Sequence, residues 1–380
     1  MRPIYLDYNA TTPLHPAAVE AMTQVLKECY GNPSSAHWAG AAARDVLARA
    51  RAQVARLIGA EPETVVFTSS ATESNNIVLR SAARAAPQPA GRIVTCATEH
   101  PSVLETLEDL DVEADILPVD GDGRLAPATL AEAVGPETLL VSVMWANNET
   151  GVVQPIAELA SVAAYRGVPF HTDAVQALGK LPLELAGLPV DFASFSAHKL
   201  GGPKGIGALY VRDGTPLSPL LSGGGQERRL RPGTENVPGI AGFGAACAAA
   251  ERELPGRGER LGGLANQLWA GIREKIPGVR LNGSLEHRLP HTLNLSFDAL
   301  DGETLVMALD AEGVAVASGA ACHSGSTEPS HVLAAMGVPA ELGAGAIRLS
   351  LGAQTCAEEI GHALEVLPRV VARVRAAGAA

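Results

Sequence analysis

The stretch Ser194-Phe195-Ser196-Ala197-His198-Lys199 closes a mostly apolar run that begins at Val190, and it leads into Leu200-Gly201-Gly202-Pro203-Lys204-Gly205-Ile206-Gly207. The run reads as a short buried strand, the glycine-rich piece as a turn, and Gly207-Ala208-Leu209-Tyr210-Val211 as a second strand. Lys199 is thereby expected at the mouth of a sheet, on a rigid element, beside a serine and a histidine. An amine so placed can lose its proton and act as a Schiff-base lysine; taken alone, the same residue reads as a surface lysine in a turn.

Four other loops at expected strand ends carry polar residues. Thr68-Ser69-Ser70-Ala71-Thr72-Glu73 joins a strand to a helix. Its small residues and hydroxyls suit either an ordinary N-cap or a phosphate cradle made of free backbone N–H groups. In Thr98-Glu99-His100-Pro101-Ser102, His100 could cap a helix or lie on an aromatic cofactor and shuttle protons. Asn147-Asn148-Glu149-Thr150-Gly151 follows another strand, and Phe170-His171-Thr172-Asp173-Ala174-Val175-Gln176 ends a strand in a carboxylate. A buried unpaired Asp173 is costly and wants a cationic partner, which a pyridinium nitrogen would provide. A phosphate cradle, a ring-facing histidine, an aspartate for a pyridinium and a lysine for a Schiff base together match pyridoxal 5'-phosphate.

The elements that must position these groups follow from hydrophobic spacing. Helices are expected over 16–30 and 40–58, with Gly31-Asn32-Pro33-Ser34-Ser35 between them. Strands at 65–67, 92–96, 114–118, 139–143 and 169–171 alternate with helices at 71–86, 101–110, around Leu130 and at 156–165. That alternation predicts an α/β fold with a mostly parallel sheet and helices on both faces, its ligands at the carboxyl ends of the strands. A long alanine-rich helix from Val237 into the 270s breaks at Pro255-Gly256, where a domain boundary is expected. The remainder reads as a small α+β domain, with strands near Val279, 292–296 and 346–350 and helices near Glu303, Pro329 and Ala357.

Composition narrows the partners. A chain of 380 residues with 47% hydrophobic content is expected to form a large and a small domain. A net charge of −12 argues against a dedicated nucleic-acid surface, and no apolar run has membrane-spanning length. Asp7 and Asn9 interrupt any leader-like pattern at the start. The five cysteines, Cys29, Cys96, Cys247, Cys322 and Cys356, form no CxxC pair and suit free thiols in a reducing cytoplasm. No metal site is expected.

Taken in order, the motifs resemble those of the cysteine desulfurases of the nitrogen-fixation and iron–sulfur-cluster type, class V aminotransferases of fold type I. The resemblance covers essentially the whole chain. It runs from Tyr5-Leu6-Asp7-Tyr8-Asn9-Ala10-Thr11-Thr12-Pro13 through Ala71-Thr72-Glu73-Ser74-Asn75-Asn76, Asn147-Asn148-Glu149, His171-Thr172-Asp173-Ala174-Val175-Gln176 and Ser196-Ala197-His198-Lys199 to Arg231-Pro232-Gly233-Thr234 and Ser318-Gly319-Ala320-Ala321-Cys322. It implies a large pyridoxal-phosphate domain over 13–256 with a mostly parallel seven-stranded sheet. The small domain would then comprise 1–12 and 257–380 and carry the Cys322 loop.

The resemblance also implies roles. Lys199 would hold the cofactor and move protons, Asp173 would meet the ring nitrogen, Gln176 the ring hydroxyl, and His100 would stack on the ring. Ala71, Thr72, Ser196 and His198 would bind the phosphate. Thr234 would reach the neighbouring subunit's phosphate, which implies a homodimer with shared sites. Asn148 would contact cofactor and substrate, and Arg348 would grip the substrate carboxylate as a bidentate fork. Cys322, in a loop of small residues that offers it no core to fill, would take sulfur from L-cysteine as a persulfide, release L-alanine and pass the sulfur to an acceptor or scaffold protein. Ser70 stands where the family usually has glycine, and His323 follows Cys322 where threonine or serine is common. Ala320-Ala321-Cys322-His323 and Gly223-Gly224-Gly225-Gln226-Glu227 also resemble selenocysteine lyases, so selenocysteine is an alternative substrate. An aminotransferase leaves Cys322 unexplained, and a non-enzymatic docking protein would not need Lys199, Asp173 and Cys322 together.

Overall fold

The computed structural model describes residues 3–85, 91–319 and 330–378. A short strand β1 (Ile4–Tyr5) precedes helices α1 (Pro16–Glu28) and α2 (Trp38–Leu57). Pro16 opens α1 at a position where its missing N–H costs nothing. Strand and helix then alternate: β2 (Val65–Thr68), α3 (Ala71–Arg84), β3 (Arg92–Cys96), α4 (Pro101–Glu108), β4 (Glu113–Leu117), α5 (Pro127–Ala133), β5 (Thr138–Ser142), α6 (Ile156–Tyr165), β6 (Phe170–Asp173), β7 (Phe192–Ser196) and β8 (Gly207–Val211).

These strands form a seven-stranded sheet in the order β2-β8-β7-β6-β5-β3-β4. Strand β8 is antiparallel to both its neighbours, whereas the remaining pairs are parallel. The connection over 197–206 is too short for the crossover that a parallel pair needs, so β8 must return beside β7 as a hairpin partner. The carboxyl ends of β2, β3, β5, β6 and β7 therefore lie along one edge of the sheet. The expected mostly parallel α/β sheet is present.

Alternation along each strand sends side chains to two apolar layers. Val65, Phe67, Val94, Val141, Phe170 and Phe195 pack on one face with residues of α1, α2 and α6. Val66, Ile93, Leu140, Phe192 and Leu209 pack on the other with Ile77 and Val78 of α3 and Val103 and Leu107 of α4. With both faces covered, the inner strands read in sequence as runs of burial and not as an alternation, whereas the edge strand β4 is mostly exposed.

Helix α7 (Val237–Lys275) joins this layer to a second core. Pro255 (ψ 121) and Gly256 (φ 82) interrupt it, because proline supplies no N–H and glycine accepts the left-handed turn. Before the break Ile240, Phe243 and Cys247 enter the first core; after it Leu261, Leu268 and Ile272 enter the second. The chain continues through β9 (Val279–Asn282), β10 (Thr292–Phe297), α8 (Gly302–Asp310), β11 (Val314–Ala315), β12 (Ala317–Ser318), α9 (His331–Ala335), α10 (Ala340–Ala344), β13 (Ala346–Ser350) and α11 (Ala357–Gly378). An antiparallel sheet of order β12-β13-β10-β9 forms, and β1 pairs in parallel with β11. Strands β11 and β12 and helix α10 were not expected from the sequence, because elements of two to five residues contain no readable period. Among the described residues no helix is long and apolar enough to cross a membrane.

One buried ion pair anchors the strand that leads to the Ser69–Thr72 loop. Glu227, Arg228 and Arg229 have φ of 44, 57 and 69°, a left-handed turn unusual for residues with side chains. The turn drives the Glu227 carboxylate inward. It accepts from Arg51 Nη1 (2.8 Å) and Nη2 (2.6 Å) and from the backbone N–H of Phe67 in β2 (2.8 Å). Arg51 also lies over the Phe67 ring at 4.7 Å. Replacing Glu227→Ala leaves the Arg51 guanidinium with only the Val65 carbonyl (2.6 Å) and no carboxylate, leaves the Phe67 N–H unpaired, and is expected to cost about 3 kcal/mol in urea unfolding; a midpoint unchanged from wild type would refute the anchoring role.

Candidate active site

The polar residues singled out in the sequence converge on one cavity. Lys199, Ala71, Thr72, His100, Asn148, Asp173, Gln176, Ser196, His198 and Arg348 all line a space of about 320 Å³ at the carboxyl edge of the large sheet. Thr234 does not line it; it is exposed in the segment before α7. Cys322 and its neighbours 320–329 lie outside the described residues.

Each loop has a local reason for its shape. Ser70 is the N-cap of α3, its Oγ accepting from Glu73 N–H (3.1 Å), and its extended backbone (φ −170°) asks nothing special of the residue. Ala71 and Thr72 are the first helical residues, so their N–H groups have no intrahelical acceptor and face the cavity end. A side chain at Gly207 would come within 2.6 Å of the Ser70 backbone, so glycine lets β8 press against this loop. Arg231 Nε donates to Glu73 (3.0 Å), tying the Arg231-Pro232-Gly233-Thr234 segment to the same helix start. The two readings of the loop, N-cap and anion cradle, are compatible.

His100 is likewise both a cap and a cavity residue. Its Nδ1 accepts from Ser102 N–H (3.1 Å) and lies 2.8 Å from Ser102 Oγ. Burial lowers its pKa, against the nearby Asp173 carboxylate, which raises it. Burial also drives His171 and His198 down to about 4. His171 is a neutral bridge under the site, between Ser142 Oγ (2.8 Å) and Ser194 Oγ (3.0 Å). His198 sits with its Nδ1 3.1 Å from Thr11 Oγ1.

Asp173 is the last residue of β6. Its carboxylate accepts from Asn75 Nδ2 (2.9 Å) and Val175 N–H (3.0 Å), both neutral donors, and has no ion-pair partner among the described residues. A buried carboxylate at a cavity wall with an unmet need for a cation fits a pyridinium nitrogen, and the free N–H groups of α3 fit a phosphate. The residues present therefore fit pyridoxal phosphate.

Lys199, in the turn after β7, donates to the carbonyls of Asn9 (2.6 Å) and Ala10 (2.8 Å). Gln176 Nε2 donates to the same Asn9 carbonyl (3.0 Å), and its Oε1 accepts from Lys180 Nζ (2.6 Å). Burial and the cationic neighbours Lys199, Arg348 and Arg257 push Lys180 well below the ordinary lysine range. Arg348, on β13 and 1% exposed, donates through Nη2 to Asp7 (2.6 Å) and through Nη1 to the Asn148 carbonyl (2.9 Å). Its Nε has no partner among the described residues. The expected fork is thus already held on two sides by protein groups.

Asn9, Lys180, Asp7, Asn75 and Ser102 were not assigned to the site from sequence. Asp7, Asn9, Asn75 and Ser102 lie in the same motifs as the expected site residues or the family signature, and the i, i+4 spacing of Gln176 and Lys180 was a readable signal. Cys96 and Cys247 are buried free thiols, Cys29 is half-buried and Cys356 is exposed.

The sequence profile of the aminotransferase class-V family matches residues 4–362. This chain belongs to the cysteine desulfurase family of class-V aminotransferases. It is 45% identical over 377 residues to the cysteine desulfurase IscS of Dictyoglomus turgidum, covering 98% of this chain and 96% of that one. A solved NifS-like protein superposes with a TM-score of 0.92 at 38% identity, over 98% of this chain and all (100%) of the other. An SspA solved in complex with cysteine gives a TM-score of 0.81 at 34% identity, over 92% and 98% of the two chains. These relatives place the chain with cysteine desulfurases and not with selenocysteine lyases, the alternative left open by the sequence motifs.

Two buried carboxyls of this desulfurase-family chain titrate late. Burial, reinforced by Asp173, raises Glu99 to about 8, and burial raises Glu149 to about 7. Glu99 accepts from Met144 N–H (2.6 Å) and lies against Cys96 Sγ; Glu149 accepts from Ser330 Oγ. With folded values above the unfolded 4.5, the folded chain binds more protons than the unfolded one between about 4.5 and about 8. Their contribution to stability is therefore complete below that window and lost as pH rises through it. Glu99→Gln, which cannot ionise, is expected to flatten the fall in thermal midpoint across that window; calorimetry showing the wild-type slope in the variant would contradict a proton held at Glu99.

Proposed function

We propose that this chain is a pyridoxal-phosphate-dependent cysteine desulfurase that converts L-cysteine to L-alanine and receives the sulfur as a persulfide on Cys322. The observation that carries this reading is the convergence of Lys199, Asp173 and Arg348 on one cavity beside the N-terminus of α3. When bound, the cofactor supplies an electron sink for charge that develops on the substrate carbon.

The chain's own residues then divide the work. Lys199 would hold the cofactor and carry protons. Asp173 would keep the ring nitrogen protonated, Gln176 would meet the ring hydroxyl, and His100 would cover the ring. The N–H groups of Ala71 and Thr72, with Ser196 and His198, would hold the phosphate. Because burial keeps His198 neutral, it acts there as a hydrogen-bond group and not as a cation. Asn148 borders cofactor and substrate, and Arg348 takes the substrate carboxylate. The substrate's sulfur leaves to the Cys322 thiolate, giving one protein persulfide and one alanine for each cysteine consumed.

Thr234 is exposed and does not line its own chain's cavity, which suits a homodimer in which Thr234 of the partner subunit completes the phosphate site. We place the division between domains at 13–256 and 1–12 with 257–380, following the break in α7. The free thiols suit a reducing cytoplasm, where the persulfide passes to an acceptor or scaffold protein that supplies iron–sulfur clusters or other thio-compounds.

Purified holoenzyme is expected to be yellow and to release alanine from L-cysteine. Cys322→Ala should lower turnover by roughly two orders of magnitude or more while retaining the colour, and Lys199→Ala should lose both. Turnover surviving in Cys322→Ala would remove the persulfide route; turnover of selenocysteine alone would overturn the substrate. Arg348→Lys should raise KM for cysteine by ~10-fold or more through loss of the planar fork, and an unchanged KM would place the carboxylate elsewhere.

A further inference from the structure

A directed hydrogen-bond chain runs through the cavity wall from Asp173 to His100. Asp173 Oδ2 accepts from Asn75 Nδ2 (2.9 Å), and the same Nδ2 lies 2.9 Å from Ser102 Oγ. Ser102 Oγ is in turn 2.8 Å from His100 Nδ1, which also takes the Ser102 backbone N–H at 3.1 Å. Asn75 is fully buried and Ser102 nearly so. Neither residue belongs to the cofactor-holding set described above.

We propose that Asn75 and Ser102 are positioning residues that lock His100 in one tautomer, with Nδ1 as a double acceptor and the ring proton on Nε2.

Each link has one direction. An ionised Asp173 offers acceptors only, so the Asn75 amide must turn its NH2 toward it. That NH2 has two hydrogens, and its second reaches Ser102 Oγ. The hydroxyl, accepting from Asn75, keeps its own proton to donate, and His100 Nδ1 is the acceptor in reach. The backbone N–H of Ser102 demands a lone pair on the same nitrogen. The cost of the arrangement is visible: Asn75 Oδ1 is buried without a partner among the described residues. An amide free to choose would flip to satisfy its carbonyl. It is held instead by the two acceptors on its nitrogen side.

The lock also bears on charge. A proton on Nδ1 would face two donors, so the imidazolium form is opposed by geometry as well as by burial. The other charged or titratable groups around the ring are Asp173 on β6, Lys199 after β7, His331 on α9 and Glu105 on α4. Asp173 and Glu105 favour the cation and Lys199 and His331 oppose it, so the two Ser102 donors act on a ring under opposing fields. The geometry of the chain involves protein groups alone; what the Nε2 proton does next rests on the cysteine desulfurase reading.

The test is nitrogen NMR of the histidine rings in 15N-histidine-labelled holoenzyme, with His100 assigned by His100→Gln. The expected wild-type spectrum at neutral pH shows His100 with an unprotonated Nδ1 and a protonated Nε2. Ser102→Ala removes one of the two donors and is expected to move the His100 titration midpoint upward, whereas Ser102→Thr, which keeps the hydroxyl, restores the wild-type midpoint. A wild-type ring protonated on Nδ1 would overturn the proposal without any variant, and a Ser102→Ala midpoint equal to wild type would remove Ser102 from it. Failure of the cysteine assay leaves these ring signals unchanged, so the two readings fail separately.

Discussion

A fully buried asparagine holds the two cores of this protein in register at the point where the chemistry would occur. Asn9 donates its backbone N–H to Ser350 Oγ (2.9 Å) and its Nδ2 to Thr292 Oγ1 (3.0 Å) and the Asn148 carbonyl (3.2 Å). Its Oδ1 faces His291 Nε2 (3.0 Å), and its carbonyl receives both Lys199 and Gln176. Ser350, Thr292 and His291 belong to or adjoin the antiparallel sheet; Asn148, Gln176 and Lys199 belong to the loops of the large sheet. Leaving any of these buried groups unpaired would be costly, so the network specifies one relative placement of the two layers. The position of Lys199 depends on that placement as much as on its own strand.

Around this junction, burial sets the protonation pattern. His171, His198 and His291 are held neutral, Glu99 and Glu149 are pushed toward their protonated forms, and Lys180 is pushed toward its neutral form by burial and by three cationic neighbours. Of these groups His198 lines the cavity itself, where it presents a hydrogen-bond group without charge. Against that background the Asp173 carboxylate and the Arg348 guanidinium stand out as fixed charges of opposite sign, at β6 and at β13. A zwitterionic amino acid beside a cationic ring nitrogen matches such an arrangement.

Much of the fold was legible because the large sheet is buried on both faces. Apolar runs ending in small residues marked β3 and β7 closely, the glycine-rich turn marked the start of β8, and Pro255-Gly256 marked the break in α7. The limits came from elements that have no pattern of their own. The pairing of Ile4 and Tyr5 with Val314 and Ala315, more than three hundred residues away, is a tertiary event between two-residue strands. The reversed direction of β8 followed from the shortness of the turn after Lys199, which only the sheet order makes evident.

The sequence by itself determined the chemical groups and the edge on which most of them would meet. Lys199, Asp173, His100 and Ala71-Thr72 each end a strand or begin a helix, and parallel strands bring such ends together. Tertiary structure decided which partner each group received. Asp7 on Arg348 and Asn75 on both Asp173 and Ser102 are contacts that cross tens to hundreds of residues, whereas Lys180 on Gln176 and Ser102 on His100 are local. Hydrogen-bond direction depends on which acceptor lies within 3 Å in the packed chain, and residue order carries no record of that distance.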